Sequence, residues 1–261
     1  MTAAAFFDLD RTLISGASAF PFAVEAWRAG MVTNREIVRW GLAAVTFLLA
    51  GDKGENVSDN ARAEFLGKVA GVSVDQLDSI ARELLPKLVN DIRPESKKLL
   101  TMHHDAGRET WIVSASPQKI VEPLSHALGM DGAIGTRGRV IDGHYTDELD
   151  GPFVYGEGKA IAIRMLASQR GYDLEKSYAY SDSVSDLPML ETVGHPVAVN
   201  PDGELERIAY ERGWPIVIFA RRTKRAIALG SAATLASGGM VATYFLGRHH
   251  GMRRRRFAWL A

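Results

Sequence analysis

Ala3-Ala4-Ala5-Phe6-Phe7-Asp8-Leu9-Asp10-Arg11-Thr12-Leu13 is the stretch from which the fold reads. Its apolar run, Ala3 to Phe7, ends in a polar cluster, the pattern of a short strand buried on both faces of a parallel sheet. Such a strand delivers Asp8 to Thr12 at its carboxyl end, where open α/β sheets place their ligands. Asp8 and Asp10 stand two residues apart, so their carboxylates can converge on one site and repel unless a cation lies nearby. Magnesium is the natural partner, because it prefers hard oxygen ligands and binds through a few carboxylates plus substrate phosphate. Two aspartates in a loop also read as helix caps. The apolar strand before them and Thr12 after them raise the specificity of the catalytic reading.

Outward from this strand, residues 15–91 read as a helical insertion. Phe20, Phe22, Val24 and Trp27 recur at helical spacing, Ile37 to Ala50 is strongly apolar, and Val72 to Val89 is amphipathic with Ser73 as N-cap. After Pro94 strands and helices alternate. Glu95 to Ala106 reads as a helix, Thr110 to Val113 as a strand, and Pro117 to Leu128 as a helix with Gly129 at its end. Residues 133–146 read as a hairpin, and Glu157 to Arg170 as a helix closed by Gly171. Ser177 to Tyr180 is a strand, Val184 to Val193 a short helix, and Pro196 to Val199 and Trp214 to Phe219 are further strands. The expected fold is therefore α/β, a Rossmann-like parallel sheet with helices on both faces. Residues 1–14 and 92–220 form its core, 15–91 an all-helical cap, and 221–261 a C-terminal apolar helix with basic flanks.

Three further positions carry chemistry. In Tyr178-Ala179-Tyr180-Ser181-Asp182-Ser183-Val184-Ser185-Asp186, carboxylates again follow a strand, and Asp182 can complete a metal site with Asp8 and Asp10. Ser114, in Ile112-Val113-Ser114-Ala115-Ser116-Pro117, lies between strand and helix, where a hydroxyl and backbone N–H groups receive phosphate. Lys159 sits in the first turn of a helix, where a cation is unfavourable against the helix dipole unless an anion is present. Each has a plainer reading, as a cap or a solvated lysine. The ordered set is what informs.

That set, DLDRT, a serine after an apolar strand, a lysine, then DSVSD, resembles the haloacid dehalogenase superfamily, and the helical insertion resembles the cap of its phosphoserine phosphatase-like branch (subfamily IB). The resemblance implies a magnesium-dependent phosphomonoester hydrolase that works through an aspartyl-phosphate. Asp8 would be the nucleophile and Asp10 the general acid and base. Asp8, Asp10 and Asp182 would make up the metal site, with the Leu9 carbonyl as a further ligand and Asp186 in support. Thr12, Ser114 and Lys159 would bind the phosphoryl group. A general acid beside the nucleophile belongs to hydrolysis, since the leaving group needs a proton and water then needs a base. The family's ATP-driven pumps carry Lys-Thr after the nucleophile, unlike Leu9-Asp10. Three positions depart from the branch. Leu13 to Ala19 holds no acid to read a substrate amine, Ala115 replaces a glycine, and Arg11 stands where small residues are common.

Cysteine is absent, which excludes disulfides and thiolate chemistry. The net charge of zero hides an asymmetry. Nine of the 31 basic residues lie in 221–261, which has no acid, leaving 22 basic against 31 acidic in residues 1–220. Residues 226–247 carry no charge over 22 positions, enough to span a bilayer, and their basic flanks also suit an anionic membrane surface. The expected partners are a small phosphorylated metabolite and membrane lipid through 221–261, with no nucleic acid. The start of the chain does not read as a signal peptide, which places the catalytic body in the cytoplasm. Two alternatives stand beside this reading: a phosphatase for a sugar, nucleotide or lipid head-group phosphate, and a membrane-tethered regulatory protein that binds phosphate and turns over little.

Overall fold

The computed structural model describes residues 2–31, 62–63, 65–67 and 69–219. The apolar stretches 37–50 and 226–247 read above lie outside the described residues. Met1–Ala220 form one compact unit and Arg221–Ala261 another. Among the described residues no helix is long and apolar enough to cross a membrane.

The run read first forms β1 (Ala4–Asp8), every residue of it buried. It lies at the centre of a six-stranded sheet between β2 (Glu109–Pro117) and β6 (Tyr178–Ser181). β3 (Gly132–Thr136) adds beyond β2, while β7 (His195–Val199) and the short β8 (Ile216–Val217) add beyond β6. All of these pairings are parallel. The chain builds the sheet outward from β1 first on one side and then on the other, so the order reverses between β1 and β6, and an open crevice forms there.

Alternation along the strands explains their uniform apolarity. Ala5, Phe7 and Ile112 join one core, with Leu84 and Leu88 of α2 (Val74–Asp91), Leu100 of α3 (Pro94–Asp105) and Leu124 of α4 (Gln118–Ala127). Ala4, Phe6, Trp111 and Val113 join the other, with Ile163 of α5 (Glu157–Arg170), Leu190 of α6 (Leu187–Glu191) and Leu205 of α7 (Gly203–Arg212). Each strand thus has an apolar neighbour above and below, as a sheet covered on both faces requires. Within the insertion, α1 (Ala19–Arg28) and α2 are described, and residues 65–67 and 69 are helical. Ser73 caps α2 through a full capping box with Gln76, as its position predicted.

Three readings need correction. Residues 133–146 are not one hairpin: 132–136 extend the main sheet as β3, and the hairpin consists of β4 (Gly138–Ile141) and β5 (His144–Leu149). Its two-residue loop has positive φ at both positions, Asp142 at 48° and Gly143 at 77°, the geometry that matches strand twist in a tight hairpin. The segment before α2 also engages this hairpin. Gly71 N–H donates to Tyr145 O (2.7 Å) and Tyr145 N–H to Val72 O (2.9 Å), so extended backbone, besides helix, belongs to the described insertion. Finally, α7 fills a stretch to which no element was assigned, and the last strand, expected over Trp214 to Phe219, is only two residues long.

Candidate active site

Register sets the site. Asp8 lies opposite Val113 of β2, and Phe7 opposite Tyr180 of β6, so Ser114, which lies inside β2 rather than past its end, and Asp182, just beyond β6, flank Asp8. After Asp8 the backbone makes one wide turn, Leu9–Leu13, with Arg11 in the left-handed region at φ 58°. Arg11 N–H donates to Gly16 O (2.9 Å) and Ile14 N–H to Leu9 O (3.0 Å), which closes the turn.

Lys159 is the centre of the charge network. Its Nζ donates to Asp8 Oδ1 (2.6 Å) and to Asp186 Oδ2 (2.8 Å), and Ser181 Oγ donates to the same Asp186 oxygen (2.7 Å). The anion inferred from a cation at a helix N-terminus is therefore, in part, the protein's own pair of carboxylates. Lys159 reaches them because α5 begins unusually close to the preceding loop. A Cβ on Gly158 would lie 1.7 Å from Phe153 O, so no other residue fits there without backbone movement. Burial acts against the Lys159 ammonium, but Asp186 and Asp8 outweigh it and hold its pKa above the ordinary lysine range.

The other expected residues are gathered around this network. Asp10 Oδ1 accepts from Ser18 N–H (2.7 Å), and Ser18 Oγ is hydrogen-bonded to Ser116 Oγ (3.1 Å). Ser114 Oγ accepts from Ser116 N–H (3.2 Å) and is buried. Thr12 is buried too, and its Oγ1 has no hydrogen-bond partner among the described residues, a group waiting for an oxygen. Asp182 is not a helix cap. Ser183 accepts from Ser185 N–H, and Asp202 accepts from Val184 N–H (2.9 Å), while Asp182 Oδ2 meets Arg11 Nε at 2.8 Å.

Four carboxyls, Asp8, Asp10, Asp182 and Asp186, share this crevice, and among the described residues two cations, Lys159 and Arg11, contact them. Desolvation raises Asp8 well above the carboxylate range, opposed by Lys159 and reinforced by Asp186, Asp10 and Asp182. Desolvation also raises Asp10, against the Ser18 hydrogen bonds. It pushes Asp182 up to about 7, against the pull of Arg11. The site is short of positive charge, and its free groups are hard oxygens. Both features fit a divalent cation and a phosphate oxygen. Among the described residues no three His, Cys, Asp or Glu side chains already stand grouped as a metal cluster, and Asp8 and Asp182 each engage a protein cation instead.

Sequence reasoning missed Ser18, Ser116 and Ser181, which orient the acids and the serine loop. Small hydroxyl residues in loops carry no signal of that role. His103 lies fully buried beside β1, its ring against Phe7. Its Nδ1 accepts from Arg108 Nε (2.7 Å), and its Nε2 is bonded to Tyr180 Oη (2.8 Å).

A family model described as haloacid dehalogenase-like hydrolase matches residues 5–191. A Mycobacterium tuberculosis protein described as a probable phosphatase is 42% identical over 241 residues, covering 91% of this chain and 83% of that one. A phosphoserine phosphatase of the same organism is 38% identical over 239 residues, covering 91% and 77%. A histidinol-phosphatase of Neisseria meningitidis is 35% identical over 222 residues, covering 82% and 98%. Among solved structures, a Bordetella pertussis protein of unknown function superposes with a TM-score of 0.72 at 29% identity, over 83% of this chain and 99% of that one.

Proposed function

Because the chain belongs to the haloacid dehalogenase-like hydrolases, we propose that it is a phosphomonoesterase in which Asp8 attacks phosphorus and Asp10 moves the protons. The observation that carries this reading is the buried Lys159 bridge from Asp8 to Asp186 at the reversal point of the sheet, beside the unpartnered Thr12 hydroxyl. Lys159, Thr12 and Ser114 bind the non-bridging phosphoryl oxygens. An Asp8 carboxylate oxygen forms a bond to phosphorus, the ester P–O bond breaks, and Asp10 gives its proton to the departing alkoxide. The raised pKa of Asp10 suits it to carry that proton. Water then attacks the phosphorus of the aspartyl-phosphate, Asp10 takes back a proton, and inorganic phosphate leaves with Asp8 restored. Magnesium, when held by Asp8, Asp10 and Asp182, would offset the charge on the phosphoryl oxygens. Lys159 aims Asp8 and favours its ionised form against burial, and Ser18 holds Asp10 through its backbone N–H.

The substrate class is a phosphate ester of a small alcohol. Relatives are named for phosphoserine and for histidinol phosphate, both esters of amino alcohols, while Leu13 to Ala19 supplies no acid for the amine. Phosphate release from a panel containing both esters, together with sugar, nucleotide and lipid head-group phosphates, tests the reading. Turnover should need magnesium and vanish in Asp8→Asn. Metal-independent turnover, or turnover that survives Asp8→Asn, would sink it. We also propose that residues 221–261 contact anionic lipid, which the uncharged stretch 226–247 and its basic flanks support.

A further inference from the structure

Arg11 combines two features. Its backbone is in the left-handed region, at φ 58°, which a residue with a Cβ adopts only at a cost. Its guanidinium also lies on an acid that the proposed chemistry assigns to a cation: Nε is 2.8 Å from Asp182 Oδ2. The pair is lopsided. The Asp182 side chain is 6% exposed and that of Arg11 53%, so the carboxylate is buried while its partner stands at the rim.

Lys159 provides the contrast. It is 4% exposed and is held by two carboxylates, Asp8 and Asp186, so it cannot leave without stranding both. Arg11 contacts Asp182 through Nε, and its backbone is pinned independently by the Gly16 carbonyl. Rotation about its side-chain bonds alone can release the guanidinium into water, at the small cost typical of half-exposed ion pairs. A divalent cation approaching Asp182 would meet the positive charge of Arg11 at contact distance, in a crevice where water screens poorly.

We propose that Arg11 is a built-in competitor for the metal position: its guanidinium holds the Asp182 carboxylate, must give up that contact when Asp182 takes a divalent cation, and so sets the protein's metal affinity. The inference rests on the proposed role of Asp182 as a metal ligand. It makes Arg11 a positioning residue for the site rather than a catalytic one. It also accounts for a large cation at a turn position whose backbone favours glycine or asparagine.

Calorimetric titration of the full-length protein with Mn2+, without substrate, tests it. Asn tolerates the left-handed turn, so Arg11→Asn should fold and should bind Mn2+ on the order of tenfold more tightly than wild type. Arg11→Lys keeps the charge but not the Nε contact and should fall between the two. Unchanged or weaker binding by Arg11→Asn would overturn the proposal. So would wild-type affinity in Arg11→Lys, which would leave overall charge as the cause. Asp182→Asn distinguishes the two levels of the argument. If it removes binding while Arg11→Asn changes nothing, only the competitor role fails. If wild type binds no Mn2+, the metal-dependent reading of the site fails with it.

Discussion

Removing the Lys159 ammonium would leave Asp8 and Asp186 facing each other in a buried crevice, with Ser181 as the remaining side-chain donor to Asp186 among the described residues. Breaking a buried pair from one side costs about 3–5 kcal/mol, because the uncompensated charge remains inside. Lys159→Met should therefore lower unfolding free energy by about that amount in urea, besides abolishing turnover. His103 gives a prediction of the opposite kind. Burial, with Arg108 adding to it, lowers its pKa to about 4, and the Arg108 N–H already occupies the Nδ1 lone pair. The folded protein thus keeps His103 neutral where the unfolded chain, with a pKa of about 6.5, takes a proton. Stability should fall as pH drops from about 6.5 toward 4, at a slope approaching ~1.4 kcal/mol per unit from this residue. Urea titrations at pH 7, 6 and 5 should show a flatter dependence in His103→Gln than in wild type. Equal slopes would remove His103 as the cause. The placement of Asp8 and Asp10 at the end of a buried strand was legible at this scale because strand, spacing and residue type agreed. His103 was not, since a buried neutral histidine differs from an exposed one only in its surroundings.

At the scale of elements, α5 aims Lys159 only because Gly158 lets its first turn pass against Phe153 O. Gly158→Ala forces backbone apart and should cost about 2–3 kcal/mol, with loss of activity exceeding the loss of folded protein. Circular dichroism beside phosphate release separates the two. The capping box at Ser73 is a milder test. Ser73→Ala should cost about 1 kcal/mol and leave turnover near wild type, since it acts on α2 alone. Most element boundaries were legible within a few residues, Glu157–Arg170 and its closing Gly171 among them. α7 was overlooked although Asp202 caps it and Gly213 ends it. Its outer face is almost wholly charged, so the apolar positions Leu205, Ile208 and Ala209 made too thin a stripe to stand out. Gly132 to Thr136 was misplaced because glycine-rich short runs read alike in a hairpin and at the edge of a sheet.

For the molecule as a whole, the charge division is the property to test. Residues 1–220 carry nine more acids than bases, while 221–261 carry nine bases and no acid. Full-length protein should float with phosphatidylglycerol vesicles and not with neutral ones if the basic flanks make the contact. Replacing Arg253 to Arg256 with glutamine should weaken that contact at about 1 kcal/mol per charge. Flotation with neutral vesicles that salt does not reverse would point instead to insertion of 226–247. No flotation with either kind would end the lipid reading.

The sequence by itself determined that a buried strand presents Asp8 and Asp10 at its end, that a parallel sheet follows, and that Lys159 and Asp182 stand at the start of a helix and the end of a strand, while the strand read as stopping at Val113 runs on through Ser114 to Pro117. Those features are local, written in periodicity, caps and spacing. Only the tertiary structure decided which charges meet. Lys159 and Asp8 are 151 residues apart in the chain, and the Arg11–Asp182 contact crosses even more of it. Such pairings depend on strand order, since the reversal between β1 and β6 is what brings Asp182 beside Asp8. Burial then turns a set of ordinary acids into a crevice with more negative charge than its own cations neutralise.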